Sequence, residues 1–147
     1  MPALTPDQFI EETSDTVRTQ WISEAGGLTQ FGALIETLQP GASSSIKHWH
    51  SAEDEMVYIL EGNVTLIEGD TQTVLRPGDA ATFRSGVATG HTLQNRSAFP
   101  ARYLTVGTRA ALDRITYPDH DRVCIRDRSL PDDEWTTIDG KPASSPY

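Results

Sequence analysis

Residues 48–67 read HWHSAEDEMVYILEGNVTLI, and the fold is decided in this stretch. It opens with two alternating histidines, His48 and His50. A polar break follows over residues 51–54, then an acid, Glu55, and two apolar runs, 56–60 and 64–67, divided at Gly62 and Asn63. Successive side chains of a strand point to opposite faces, so His48 and His50 share one face and Trp49 turns to the other. Both imidazoles then reach one ion, and the segment reads as half of a divalent metal's coordination sphere. Glu55 stands an odd number of residues from His50, which in an unbroken strand would aim it at the wrong face. Residues 51–54 must therefore bend and reset the alternation.

Working outward, strands are expected over 31–38, stopped by Pro40 and Gly41, and over 56–60 and 64–67, joined as a tight hairpin at Gly62. Further strands follow at 73–75, 80–83, 91–94 and 102–106, separated by turns such as Glu68, Gly69, Asp70 and Pro77, Gly78, Asp79. From Phe31 to Tyr117 the turn signals recur roughly every 8 to 12 residues, the spacing of a sandwich or barrel, so the chain is read as all-β. The run 56–60, MVYIL, is apolar on both faces, unlike a strand with one face in water. Either Phe9, Ile10 and Trp21 or a second copy of the chain must cover its outer face, and a homodimer is expected. Thr5 to Glu12 reads as a short helix capped by Thr5 with Pro6 at its first position. After Tyr117 the sequence turns polar and reads as a tail laid against the barrel through Ile125, Leu130 and Trp135. The division is an N-terminal extension over 1–27, a barrel over 28–117 and a C-terminal tail over 118–147.

A chain of 147 residues, 37% of them hydrophobic, holds one domain with a modest core. No apolar run approaches membrane-spanning length, and residues 1–12 lack the basic start and apolar middle of a secretory signal, so a cytoplasmic location is expected. The formal charge is −9, from 21 acids against 12 basic residues with no Lys/Arg cluster. Nucleic acid and anionic membrane are therefore not expected as partners, which leaves a small molecule. Cys124 is the only cysteine, which rules out an internal disulfide and a thiolate-rich metal cluster. It reads as a buried spectator.

A pocket built from one His-x-His strand and one carboxylate needs a further donor from another strand, and His91, which opens a strand after residues 85–90, is the choice. Three neutral imidazoles and a carboxylate suit Fe, Mn, Ni, Zn or Cu as one divalent first-row transition metal, without choosing among them. In these residues the chain resembles the cupins, specifically the small single-domain bacterial cupins with an RmlC-like barrel. Their first motif is a Gly, a His-x-His, three or four residues, a Glu, six residues and a Gly. Here Gly41, His48, His50, Glu55 and Gly62 stand at those positions, with the first gap one residue longer than usual. Gly78, Gly86, His91 and Asn95 stand for the second motif, with Arg84 at its usual proline and four residues rather than two between Gly86 and His91.

The resemblance spans roughly residues 31–106. It implies a cupin double-stranded β-helix, a jelly-roll barrel, commonly dimeric, with a metal near its mouth on His48, His50, Glu55 and His91. Asn95 is read as securing a turn or bonding across strands. Glu53 and Asp54 are read as solvated loop residues, either able to stand in for Glu55, and His120 as a surface residue. Val57, Ile59, Val64, Leu66, Phe83 and Leu93 are read as barrel core.

Four protein donors leave one or two positions on such a metal for water, dioxygen or a chelating substrate such as a hydroxy-ketone, carboxylate or enediol. The leading expectation is a metal-dependent enzyme acting on a small oxygen-rich metabolite, as a dioxygenase, isomerase, lyase or hydrolase. Its rival is a non-catalytic binding or sensing cupin in which the metal anchors a ligand or braces the barrel. No acid/base pair stands out in the sequence.

Overall fold

The computed structural model describes residues 3–147. The apolar runs and their turn residues resolve into two walls. One wall is a six-stranded sheet in the order β1 (Ile10–Thr13), β2 (Val17–Trp21), β3 (Phe31–Leu38), β10 (Ala101–Thr108), β5 (Glu55–Glu61) and β8 (Ala80–Phe83). The facing wall joins two smaller sheets. The first runs β13 (Glu134–Thr136), β12 (Arg122–Asp127), β11 (Leu112–Tyr117) and β4 (Trp49–His50), and the second β7 (Thr71–Leu75), β6 (Val64–Glu68) and β9 (His91–Gln94). The two meet where His48 and His91 exchange both backbone hydrogen bonds, at 3.2 and 2.9 Å. All strand pairs are antiparallel, and the result is an all-β jelly-roll barrel.

The main core lies between the walls. Leu38, Val57, Ile59, Val64, Leu75, Leu93 and Tyr103 are buried in one cluster, with Leu66 and Phe83 partly buried against it. Ile115, Tyr117 and Cys124 form a second cluster, on which Ile46 and Trp135 pack. Among the described residues, no helix is long and apolar enough to cross a membrane.

Three local expectations change. Gly62 does not close a hairpin, because both edges of β5 are already taken by β10 and β8, and β6 pairs with β7 and β9 instead. The chain passes from one wall to the other at this turn, with Gly62 at φ +72°. A Cβ there would lie 2.6 Å from the Pro100 carbonyl oxygen and 2.9 Å from Ala101 Cα, so space and backbone both demand glycine.

The helix expected over 5–12 shrinks to a 3₁₀ turn, Pro6–Gln8, in which the Gln8 side chain accepts the Thr5 N–H at 2.9 Å. The acidic run beyond it lacks an apolar helical stripe, and strand pairing with β2 wins. In the tail, β12 adds to β11 over six residue pairs and β13 adds to β12. Trp135 packs there as expected and Ile125 is half-buried, but Leu130 sits in the β12–β13 turn and is exposed.

Candidate metal centre

The alternation around Trp49 turns His48 and His50 inward, and backbone pairing sets His91 directly beside His48. Glu55 arrives from the opposite wall. Residues 51–54 therefore do not reset a strand's parity; they carry the chain across the barrel. The Ser51 N–H donates to the Arg114 carbonyl at one end and the Asp54 N–H to Thr108 Oγ1 at the other, each at 2.9 Å.

The Nε2 atoms of His91, His50 and His48 converge on one Glu55 oxygen, at 3.4, 3.5 and 4.0 Å. Donor atoms of His48, His50 and Glu55 all lie within 4.8 Å of one another, and His91 joins the group through Glu55.

The opposite ring nitrogens decide what these atoms can do. His48 Nδ1 is 2.9 Å from the Ile46 carbonyl oxygen, and His50 Nδ1 is 2.7 Å from Asp113 Oδ2. Both partners only accept, so each Nδ1 carries the hydrogen and each Nε2 presents a lone pair to the interior. His91 is stacked on Phe83, with centroids 3.6 Å apart, and its buried Nε2 has no hydrogen-bond partner among the described residues. An unsatisfied buried polar atom costs about 1–3 kcal/mol, and a cation at the convergence point would satisfy this one. The donor set fits a divalent first-row metal.

Electrostatics favours the ligating forms of most of the group. Burial, and then the nearby His91, pull His48 down to about 4, which keeps its ring neutral. Burial pushes Glu55 up, but the nearby His91 imidazole, with His48 and His50, outweighs it, so its carboxyl is held below the ordinary range. At His50 burial works downward and is outweighed by the Asp113 hydrogen bond and the charges of Glu55, Asp113 and Glu53. Its proton affinity is raised, and a cation would displace that proton.

Several participants escape a reading of the sequence. Asp113 is buried, and its Oδ1 also accepts Ser51 Oγ at 3.1 Å and the Ala52 N–H at 2.9 Å. It lies in phase with Ile115 and Tyr117 on β11, and an acid among inward-facing apolar residues is the signal that marks it. Glu53, expected in solvent, is buried, because the crossing tucks it against the Ala110 N–H at 3.0 Å and the Arg128 guanidinium at 2.6 Å. Asp54 is exposed, as is His120. Asn95 does secure a turn: Nδ2 donates to the Leu38 and Phe99 carbonyls, and Oδ1 accepts from Ser97. Cys124 is buried, and its thiol is pushed up to about 12 by burial first.

The four candidate donors face a cavity of about 300 Å³ walled by Trp21, Leu34, Phe83 and Leu93. A second recess of about 310 Å³ adjoins His50 and Glu55 and holds three arginines, Arg109, Arg126 and Arg128.

Residues 34–107 match the cupin domain family. The chain belongs to the cupin superfamily. A sugar phosphate isomerase of this superfamily from Silicibacter pomeroyi is 34% identical over 98% of both chains, with a TM-score of 0.88. A candidate sugar phosphate isomerase from Acidithiobacillus ferrooxidans is 25% identical, with 87% of this cupin and 81% of that chain covered and a TM-score of 0.76. A predicted oxalate decarboxylase from Thermotoga maritima shares the fold alone, at 21% identity over 74% of this cupin and 99% of that chain, with a TM-score of 0.62. Among curated proteins no sequence matches.

Proposed function

We propose that this cupin is a metal-dependent enzyme acting on a small oxygen-rich metabolite, and that its reaction is the aldose–ketose isomerisation of a sugar phosphate. The observation that carries the reading is the convergence of three Nε2 atoms on one Glu55 oxygen across the two walls. His48, His50, Glu55 and His91 would hold the cation, which when bound supplies Lewis acidity toward a carbonyl or hydroxyl oxygen. Trp21, Leu34 and Phe83 exclude water from a cavity of the right size for a small metabolite.

The arginine recess supports the phosphate. Each guanidinium is braced at one edge: Arg109 by Glu24, Arg126 by Asp133 at 2.8 Å and Arg128 by Glu53 at 2.6 Å. Each fork keeps further N–H donors, whose planar geometry matches phosphate oxygens. The recess also contains Glu24, Glu53, Asp54 and Glu55, so selection comes from the forks rather than from a net positive field. The relative that is 34% identical over 98% of both chains, named a sugar phosphate isomerase, points the same way.

The test combines elemental analysis with proton NMR of pentose and hexose phosphates. We expect about one metal per chain in the parent, aldose–ketose interconversion, and loss of both in His50→Ala. Metal with saturable sugar phosphate binding but no turnover would make the protein a binding or sensing cupin. No metal after reconstitution would end the metal reading altogether.

The same reading includes a homodimer. Tyr58 and Leu60 are 41% and 37% exposed on the outer face of the six-stranded sheet, with Phe31 at 39% on the same face. Of the N-terminal residues that could have covered this face, Trp21 turns into the cavity and Ile10 is exposed, while Phe9 is half-buried. A second copy related by a two-fold axis would cover it. Sedimentation should show a dimer in the parent and a monomer in Tyr58→Glu.

A further inference from the structure

The cavity faced by the four donors contains a second carboxyl group. Glu36 on β3 and Tyr103 on β10 are direct cross-strand partners, and both line the same cavity as His48, His50, Glu55 and His91. The Tyr103 hydroxyl donates to Glu36 Oε2, while Oε1 has no hydrogen-bond partner among the described residues. Tyr103 is 1% exposed, and among the described residues no Lys, Arg or His forms an ion pair with Glu36. A carboxyl placed this way is a poor structural device, because an apolar pair would fill the same space without the desolvation cost.

Its environment sets it apart from Glu55. Burial first, with the charge of Glu55, pushes the Glu36 carboxyl up against the opposing hydrogen bond from Tyr103, whereas Glu55 is the carboxylate on which the three imidazole Nε2 atoms converge. Two carboxyls in one cavity, one facing three imidazoles and the other held by a tyrosine hydroxyl, mark a division of labour between ligation and proton transfer. A base whose proton affinity is raised toward the working pH is also the more effective one.

We infer that Glu36 is the proton-transferring residue of this cupin and that Tyr103 positions its carboxyl toward the substrate. The inference rests on the isomerase reading above. The Glu36 carboxylate takes the proton from the hydroxyl-bearing carbon beside the carbonyl. The C–H electron pair becomes the C=C bond of an enediolate, and the carbonyl electron pair moves onto its oxygen. The hydroxyl proton passes between the two neighbouring oxygens, and Glu36 returns its proton to the former carbonyl carbon. The product is the isomeric sugar phosphate, with no electron or co-reactant left over.

The test uses metal-loaded protein in deuterium oxide with pentose and hexose phosphates, followed by proton NMR, for the parent, Glu36→Gln and Tyr103→Phe. Glu36→Gln should lower interconversion and exchange of the carbon-bound hydrogen by about 10²–10⁴-fold. Its metal content should equal the parent's, and KM should stay within about threefold. Tyr103→Phe should lower kcat by about tenfold and likewise keep its metal. An activity-independent readout comes from the metal-free protein: the infrared difference between parent and Glu36→Gln should carry a protonated-carboxyl band persisting above about pH 4.3.

Full turnover in Glu36→Gln, loss of its metal, or absence of that band would overturn the inference while leaving the isomerase reading standing. A parent that holds metal yet neither exchanges nor interconverts any probe would bring down the isomerase reading, and this inference with it. Should Glu36→Gln not fold, Glu36→Asp withdraws the carboxyl by one methylene and should lower kcat with metal content unchanged.

Discussion

The two walls of the barrel contribute unlike halves of the site. On the facing wall, His48 and His91 are locked side by side by their own backbone hydrogen bonds, and the outer nitrogens of His48 and His50 are tied to Ile46 and Asp113. On the six-stranded wall, the polar partners of Glu55 among the described residues are the inner nitrogens of those imidazoles, and that of Glu36 is Tyr103. The histidine half is thus organised by local pairing, whereas the carboxylate half becomes part of a site only when the walls close. A donor set divided in this way couples the chemistry to the tertiary structure rather than to any single motif.

The strongest way to break the comparison is to remove one donor from each wall. His91→Ala and Glu55→Ala should each weaken metal retention by more than about 100-fold, read by elemental analysis after gel filtration. A Glu55→Ala protein that kept its metal would move the site to the other acidic group around His50, formed with Glu53 and Asp113 on the far side of the ring.

The passage between walls is the next target. Gly62→Ala forces a Cβ to within 2.6 Å of the Pro100 oxygen at φ +72°, and should cost about 2–4 kcal/mol. Gly41 has φ +85° but open space around it, so Gly41→Ala should cost only about 1 kcal/mol. Denaturant midpoints at unchanged slope would measure both. Equal losses would mean that the backbone angle alone, and not the closeness of the walls, sets the requirement at Gly62.

This contrast also explains what the sequence could show. Strands β3, β8 and β9 begin and end at the expected residues, because their apolar runs are bounded by Pro, Gly and Asp turns whose effect is local. His48 and His50 could be paired from alternation alone. Gly62 was open to misreading, since a glycine between two apolar runs looks the same whether the chain returns along its own sheet or crosses to another. Asp113 and Glu36 stayed hidden for a related reason. Each lies in phase with inward apolar residues, Ile115 and Tyr117 or Leu34 and Leu38, but which face is inward depends on pairing with distant strands. Acids in phase with the core side of a strand are the pattern that would have exposed both.

A smaller effect tests the support behind the histidine wall. Asp113→Asn keeps the shape of the side chain but removes the charge that fixes the His50 tautomer, and should weaken metal affinity about 10–100-fold without loss of fold. Competition titration against a chelator reads this directly. An unchanged affinity would show that the Asp113 contact braces the loop at Ser51 and Ala52 rather than the ring of His50.

The finest comparison lies within the carboxylate wall, between Glu36 and Glu55 in the metal-free protein. Burial raises the proton affinity of Glu36 in the folded state, so the native protein holds more protons than the unfolded chain between the ordinary glutamate value of about 4.3 and its raised folded value. The stability from Glu36 is present in full below that window and is lost as pH rises through it. Glu55 is shifted the other way, so its contribution is present above the ordinary value and lost as pH falls through its lowered folded value. Thermal unfolding of the parent, Glu36→Gln and Glu55→Gln across both windows should therefore give difference curves of opposite slope, the Glu36 change above the ordinary value and the Glu55 change below it. The parent should lose stability relative to Glu36→Gln as pH rises, and gain it relative to Glu55→Gln. Slopes of the same sign would mean that the two carboxyls share one environment, and the division between a ligating and a proton-transferring acid would lose its physical basis.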